Sequence, residues 1–159
     1  MEKKPKIKFA ISFIKKDCED FDREIITKTL NLKPTKNLPP RMSRGTLRCK
    51  SKKAAEDEGW TLIESENQTY KMILHASWIF FSRTISSFSL GDAFDKFILN
   101  FKGNEQKLKT ICEENNLSVS IDVIITTTED SLPELYLSSE HIFYLSDINA
   151  SFGYSFYFD

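Results

Sequence analysis

Glycine and proline are scarce, with five of each in 159 residues. Low-complexity and collagen-like chains need several times more, so neither class fits. Cysteine is scarce as well: Cys18, Cys49 and Cys112 are odd in number and far apart. That pattern lacks metal-ligand spacing and argues against a disulfide framework, leaving free thiols in a reducing cytoplasm. Two histidines, His75 and His141, rule out H-x-x-x-H. Nor does the chain hold C-x-x-C, G-x-G-x-x-G, G-x-x-x-x-G-K-[ST] or G-x-S-x-G. No apolar run approaches the ~20 residues of a membrane span. Four of the first six residues are charged, and Lys8 and Ser12 interrupt Ile7 to Ile14, which makes a poor signal peptide. The shortages lead to the expectation of a cytoplasmic, non-enzymatic protein: no catalytic residue, no cofactor, no metal ligand and no membrane contact.

Phenylalanine, by contrast, is abundant. Thirteen Phe within a 40% hydrophobic composition predict an aromatic core, each buried ring stabilising it by roughly 1.5–3 kcal/mol. The length suits one domain over residues 1–159, with a basic, irregular insert at about 33–58.

Three stretches alternate with the period of a strand. Ile7, Phe9, Ile11 and Phe13 define one over about 6–14, and Val119, Ile121, Val123 and Ile125 a second over 118–128. Phe152, Tyr154, Phe156 and Phe158 share a face of the third. Tyr70 to Arg83 reads as one long strand, apolar on both sides and so placed centrally. Short strands are expected at 46–50, 60–63 and 135–137, and a helical turn at 54–58. Helical stripes follow Asp20 or Asp22 (Phe21, Ile25, Ile26, Leu30), Ser89 (Leu90, Phe94, Phe97, Phe101, then Leu108, Ile111, Cys112) and Ser138. Lys102-Gly-Asn104 breaks the second. Trp78, Phe80, Phe94, Phe97, Ile121 and Phe156 are the predicted core. The fold class is α+β: a single, mostly antiparallel twisted sheet with helices on one face. The loose recurrence of Phe9 to Leu30 in Val119 to Leu145 suggests a diverged ferredoxin-like duplication.

Charge is segregated. Residues 1–24 carry a balance of +1, residues 25–55 carry +9 with no acid at all, and residues 56–159 carry −11. Cys112, beside Glu113 and Glu114, has a thiolate disfavoured by the carboxylates and reads as core. Both histidines read as hydrogen-bonded structural residues.

Several segments resemble a known family: Phe9-Ala-Ile11, Leu30-Asn-Leu-Lys-Pro-Thr35, Ser77-Trp-Ile-Phe80, Leu108 to Asn115, Pro133 to Ser138, and Asn149-Ala-Ser151. They are similar to the bacterial proteins of domain-of-unknown-function family 4279 over nearly the whole chain, with residues 36–70 longer and more basic. The resemblance brings no catalytic residue or cofactor. By analogy it implies an immunity protein from a toxin locus.

The functional expectation is a non-catalytic binding protein that neutralises a cognate protein toxin by occlusion and charge complementarity. Two patches are candidates for the partner. One is Glu56, Asp57 and Glu58 with Trp60 as aromatic anchor, an acidic surface that imitates nucleic acid. The other is Arg41, Arg44 and Arg48 in the basic insert. The alternative is a nucleic-acid-associated module using residues 33–53. The acidic remainder of the chain, and the lack of Phe, Tyr or Trp between Arg41 and Lys53, disfavour it.

Overall fold

A computed structural model describes residues 4–15, 20–38, 41–45, 62–63, 70–74 and 76–158. The elements run β1 (Lys6–Lys15), α1 (Glu24–Leu30), β2 (Lys36–Leu38), β3 (Arg41–Gly45), β4 (Leu62–Ile63), β5 (Tyr70–Leu74), β6 (Ser77–Phe81) and β7 (Ile85–Ser86). Then come α2 (Leu90–Ile98), α3 (Glu105–Glu114), β8 (Leu117–Thr127), α4 (Ser139–Asp147) and β9 (Ala150–Phe158).

The main sheet has the order β2-β6-β1-β8-β9, with β7 beside the start of β1. Every pairing is antiparallel except β8 with β9. These directions make β2 parallel to β1 with β6 between them, and β8 parallel to β6 with β1 between them. Two interleaved split β-α-β units of this kind are the ferredoxin-like arrangement. Its halves are residues 6–38 and 77–127, not the pair suggested by the sequence. The α4–β9 unit is an addition, and its parallel pairing needs the long crossover that residues 128–149 supply.

Strand alternation assigns the two faces. Ile7, Phe9, Ile11 and Phe13 of β1 are fully buried, as are Ile121 and Ile125 of β8 and Trp78 of β6. In register, Phe13 lies opposite Trp78 and Val119, and Ile11 opposite Phe80 and Ile121. The four helices among the described residues cover this face. Phe9 stacks on Phe97 at 4.7 Å between ring centroids and tilts against Phe94 at 5.7 Å. Phe101 meets Phe80 edge-on at 6.0 Å. From α1, Thr27 Oγ1 accepts the indole N–H of Trp78 at 3.0 Å. The opposite face is polar in β8 and β9, with Ser118, Ser120, Asp122, Ser151, Gly153 and Ser155. Lys8 and Lys36 cover the Phe81 ring there, at 4.9 and 5.6 Å.

Helix ends follow their local chemistry. Ser89 Oγ accepts the Asp92 N–H at the start of α2, and Asp22 accepts the Glu24 N–H just before α1. Three helices give way through asparagines in the left-handed region, Asn31, Asn116 and Asn149, with φ of 51, 50 and 49°. A short amide side chain tolerates that conformation. Gly103 at φ 84° breaks α2 from α3, where any side chain would be strained.

The predicted long strand over 70–83 is two strands in different sheets. β5 pairs with β3 and β4 in a separate three-stranded sheet, whereas β6 joins the main sheet. Nothing in the unbroken apolar alternation marks this change of partner. β2 and β3 likewise fall in the stretch read as irregular. Residues 135–137 form no strand; the neighbouring contact is a single bridge between Ser89 and Glu134. The strand expected at 46–50 and the turn at 54–58 lie outside the described residues. Of the predicted core, Trp78, Phe94, Phe97 and Ile121 are buried, while Phe80 and Phe156 pack against the core partly exposed.

Candidate functional site

The helix layer carries a cleft of about 590 Å³ between α2 and α4, bordered by the start of α3. Its floor is built around His141. The α4 sequence Ser138-Ser-Glu-His141 is a capping box with histidine in the usual Glu/Gln position. Ser138 Oγ accepts the His141 N–H at 3.3 Å, and His141 Nδ1 accepts the Ser138 N–H at 3.1 Å. An accepting Nδ1 carries no proton, so Nε2 does. Nε2 donates to Asp95 Oδ1 at 2.8 Å. The imidazole side chain is 7% exposed and its Asp95 partner 64%. It meets the Phe94 ring edge-on at 5.2 Å. Gly91 permits this approach: a Cβ there would lie 3.2 Å from Tyr136 O and 3.4 Å from His141 Cε1.

This arrangement positions rather than reacts. A general base needs a free lone pair, and the cap occupies the one on Nδ1. The His–Asp pair therefore fastens α4 to α2. The reading of His141 as structural agrees with this geometry. His75 lies outside the described residues.

One helical turn beyond His141, the Tyr144 hydroxyl is buried and has no hydrogen-bond partner among the described residues. Burial pushes its ionisation upward, helped by the nearby Glu105 carboxylate. Around it the cleft holds Asp92, Asp95, Glu105 and Glu140 against Lys96 and Lys102. The adjoining groove adds Asp147, Lys109 and the exposed Phe143 ring, so carboxylates outnumber lysines five to three. The lining is thus anionic with an aromatic flank. Sequence reasoning missed Asp95, Glu105, Glu140 and Tyr144 as a group. Only the three-residue spacing of His141 and Tyr144, which places both on one helix face, hinted at it.

A second surface feature lies near the C-terminus. Ten large hydrophobic residues are conspicuously exposed among the described ones, and eight fall within 132–158. They are Leu132, Leu135, Tyr136, Ile142, Phe143, Tyr154, Tyr157 and Phe158. They are carried by three segments: the loop before α4, α4 itself and the edge strand β9.

Of the site residues named from the sequence, Arg41 and Arg44 both fall on β3, in register with Leu74 and Lys71 of β5. Arg48, Glu56, Asp57, Glu58 and Trp60 lie outside the described residues. Cys112 is buried, and its thiol is pushed up to about 11. Burial is the leading cause and the Glu113 charge the lesser one, the reverse of the emphasis that sequence alone suggested. Among the described residues, no group of three or more His, Cys, Asp or Glu is arranged to hold a metal. No helix there is long and apolar enough to cross a membrane.

No curated protein and no solved structure matches the chain. The family model for the domain of unknown function DUF4279 matches residues 6–159, which includes both halves of the ferredoxin-like sheet and the added α4–β9 unit. The chain belongs to the DUF4279 domain family.

Proposed function

We propose that this chain is a non-catalytic, protein-binding module, acting as an immunity protein that neutralises a cognate toxin by occluding it. The observation that carries the reading is the exposed apolar set at 132–143, above all Phe143 at 69% exposure in a groove lined by Glu105, Glu140 and Asp147 against the single Lys109. An aromatic anchor with a charged rim is how compact protein interfaces are built. Carboxylates around the ring favour a partner with a basic surface, such as a nuclease cleft, and speed encounter with it. The acidic segment Glu56–Glu58 and Trp60 would add to the same kind of contact. Arg41, Arg44 and Arg48 would instead serve an acidic partner.

Co-expression with the product of the neighbouring gene, followed by co-purification and a growth assay, tests the reading. Rescue of growth and a stoichiometric complex are expected. Phe143→Ser combined with Glu140→Lys should weaken that complex by at least about tenfold, as loss of an interface anchor does. A purified neighbour product that fails to bind at micromolar concentration removes the immunity assignment. Sub-micromolar DNA or RNA binding at about 150 mM salt, lost on neutralising Arg41, Arg44 and Arg48, would put the nucleic-acid alternative in its place.

A further inference from the structure

The sheet has two edges of unequal kind. β2 is three residues long. β9 is nine residues long and among the described residues pairs only with β8, which leaves its outer row of backbone N–H and C=O groups open to a further strand. Natural sheets blunt such edges with lysine, proline, a bulge or brevity. Residues 150–158, Ala-Ser-Phe-Gly-Tyr-Ser-Phe-Tyr-Phe, contain no charged residue and no proline. Their nine successive pairs with β8 run without a bulge. An edge this long and this unguarded is built to be paired.

The sequence of β9 points to its own copy as the occupant. An antiparallel pair related by a two-fold axis at Tyr154 places Tyr154 opposite Tyr154, Phe152 opposite Phe156 and Ala150 opposite Phe158. These residues all belong to the helix-side face, in register with the buried β8 residues. On the other face Gly153 meets Ser155, and Ser151 meets Tyr157. Next to the axis aromatic residues meet aromatic ones and small residues meet small ones, while at the strand ends Phe158 and Tyr157 cover the small Ala150 and Ser151. No like charges oppose each other, so the strand is complementary to itself as an isologous interface requires. Tyr154, Tyr157 and Phe158 are 56, 58 and 57% exposed. Covering them in both copies removes roughly 700 Å² of aromatic surface. The backbone edge and the half-buried Phe152 and Phe156 raise the total toward the ~1,200 Å² at which stable interfaces begin.

We infer that the protein forms a two-fold dimer through antiparallel β9–β9 pairing centred on Tyr154, which joins the two main sheets into one. This inference rests on the β9 edge alone and does not depend on the immunity reading.

Sedimentation velocity over a concentration series of the full chain tests it. A reversible dimer is expected. Tyr154→Lys and Tyr154→Glu each set like charges against each other on the axis, and each should weaken association by about tenfold or more. Mixing the two variants should restore it, because lysine then faces glutamate. Circular dichroism and the denaturation midpoint confirm that each variant is folded. Should both variants fail to fold, Ser155→Lys, on the exposed opposite face, replaces them and should also weaken the dimer. A wild-type chain that stays monomeric to several hundred micromolar overturns the proposal. So does a dimer indifferent to every folded variant, or one that the mixture fails to restore.

Discussion

β1 and β9 flank the same strand, β8, and both alternate apolar with small or polar residues. Their fates differ. Ile7, Phe9, Ile11 and Phe13 of β1 are completely buried, whereas Tyr154 and Phe158 of β9 are more than half exposed. β1 has strands on both sides and the Phe94 and Phe97 rings of α2 above Phe9. Among the described residues β9 has one neighbour, and its inner rings, Phe152 and Phe156, are only partly covered. The period of a sequence thus fixes which residues share a face, while the neighbours of that face fix whether they are core. In β1 the aromatic pattern holds the fold together; in β9 it is left available for contact.

The sharpest way to break this comparison is to empty the β1 side. Phe9→Ala should destabilise the protein by about 3–5 kcal/mol in chemical denaturation, since it leaves a cavity beneath two rings. A loss under about 1 kcal/mol would mean that β1 does not anchor the core.

The second effect is alkaline. The unfolded Cys112 thiol ionises near 9.0, and burial pushes the folded one up to about 11. Between these values the unfolded state binds fewer protons than the folded one, so stability falls as pH rises. The contribution is at most about 2–3 kcal/mol. Cys112→Ala should flatten the decline between pH 9 and 11; an unchanged slope would show that the thiol is not sealed in the core.

Smaller still is the fastening of α4. His141→Ala removes the capping box and the link to Asp95, at an expected cost of about 1–2 kcal/mol. Asp95→Asn should cost less, because the amide oxygen still accepts the Nε2 proton. Equal losses for both variants in denaturant titrations would argue that charge, not the tautomer-specific hydrogen bond, joins the helices. The least effect belongs to β9: Tyr157→Ser should stay within about 0.5 kcal/mol of wild type in the monomer. A loss approaching that of Phe9→Ala would erase the distinction between the strands.

Much of the fold was legible because its elements are long. β1, β8 and β9 each offer four or more alternating positions, and Ser89, Ser138, Gly103 and the three asparagines mark helix limits. β2, β4 and β7 have two or three residues, too few to show any period. The division at 75–76 carries neither glycine nor proline, so the move from one sheet to the other has no local signature. Ser82 shows the same limit: its hydroxyl accepts the Phe9 N–H at 3.0 Å, taking a strand residue's place in the ladder between β6 and β7. Of the site, His141 was readable as structural, but Asp95 lies 46 residues away and only tertiary packing brings it within 2.8 Å. The exposed rings of β9 were visible as a face, though not as an edge.

The central claim, that β1 is sealed and β9 open, is tested most directly by residue-resolved amide hydrogen exchange at a protein concentration low enough to keep the chain monomeric. Amides of Lys8 to Phe13 should exchange only through global unfolding. Along β9, those directed at β8 should be protected and the alternate ones should exchange rapidly. Uniform protection of every β9 amide, equal to that of β1, would contradict the account.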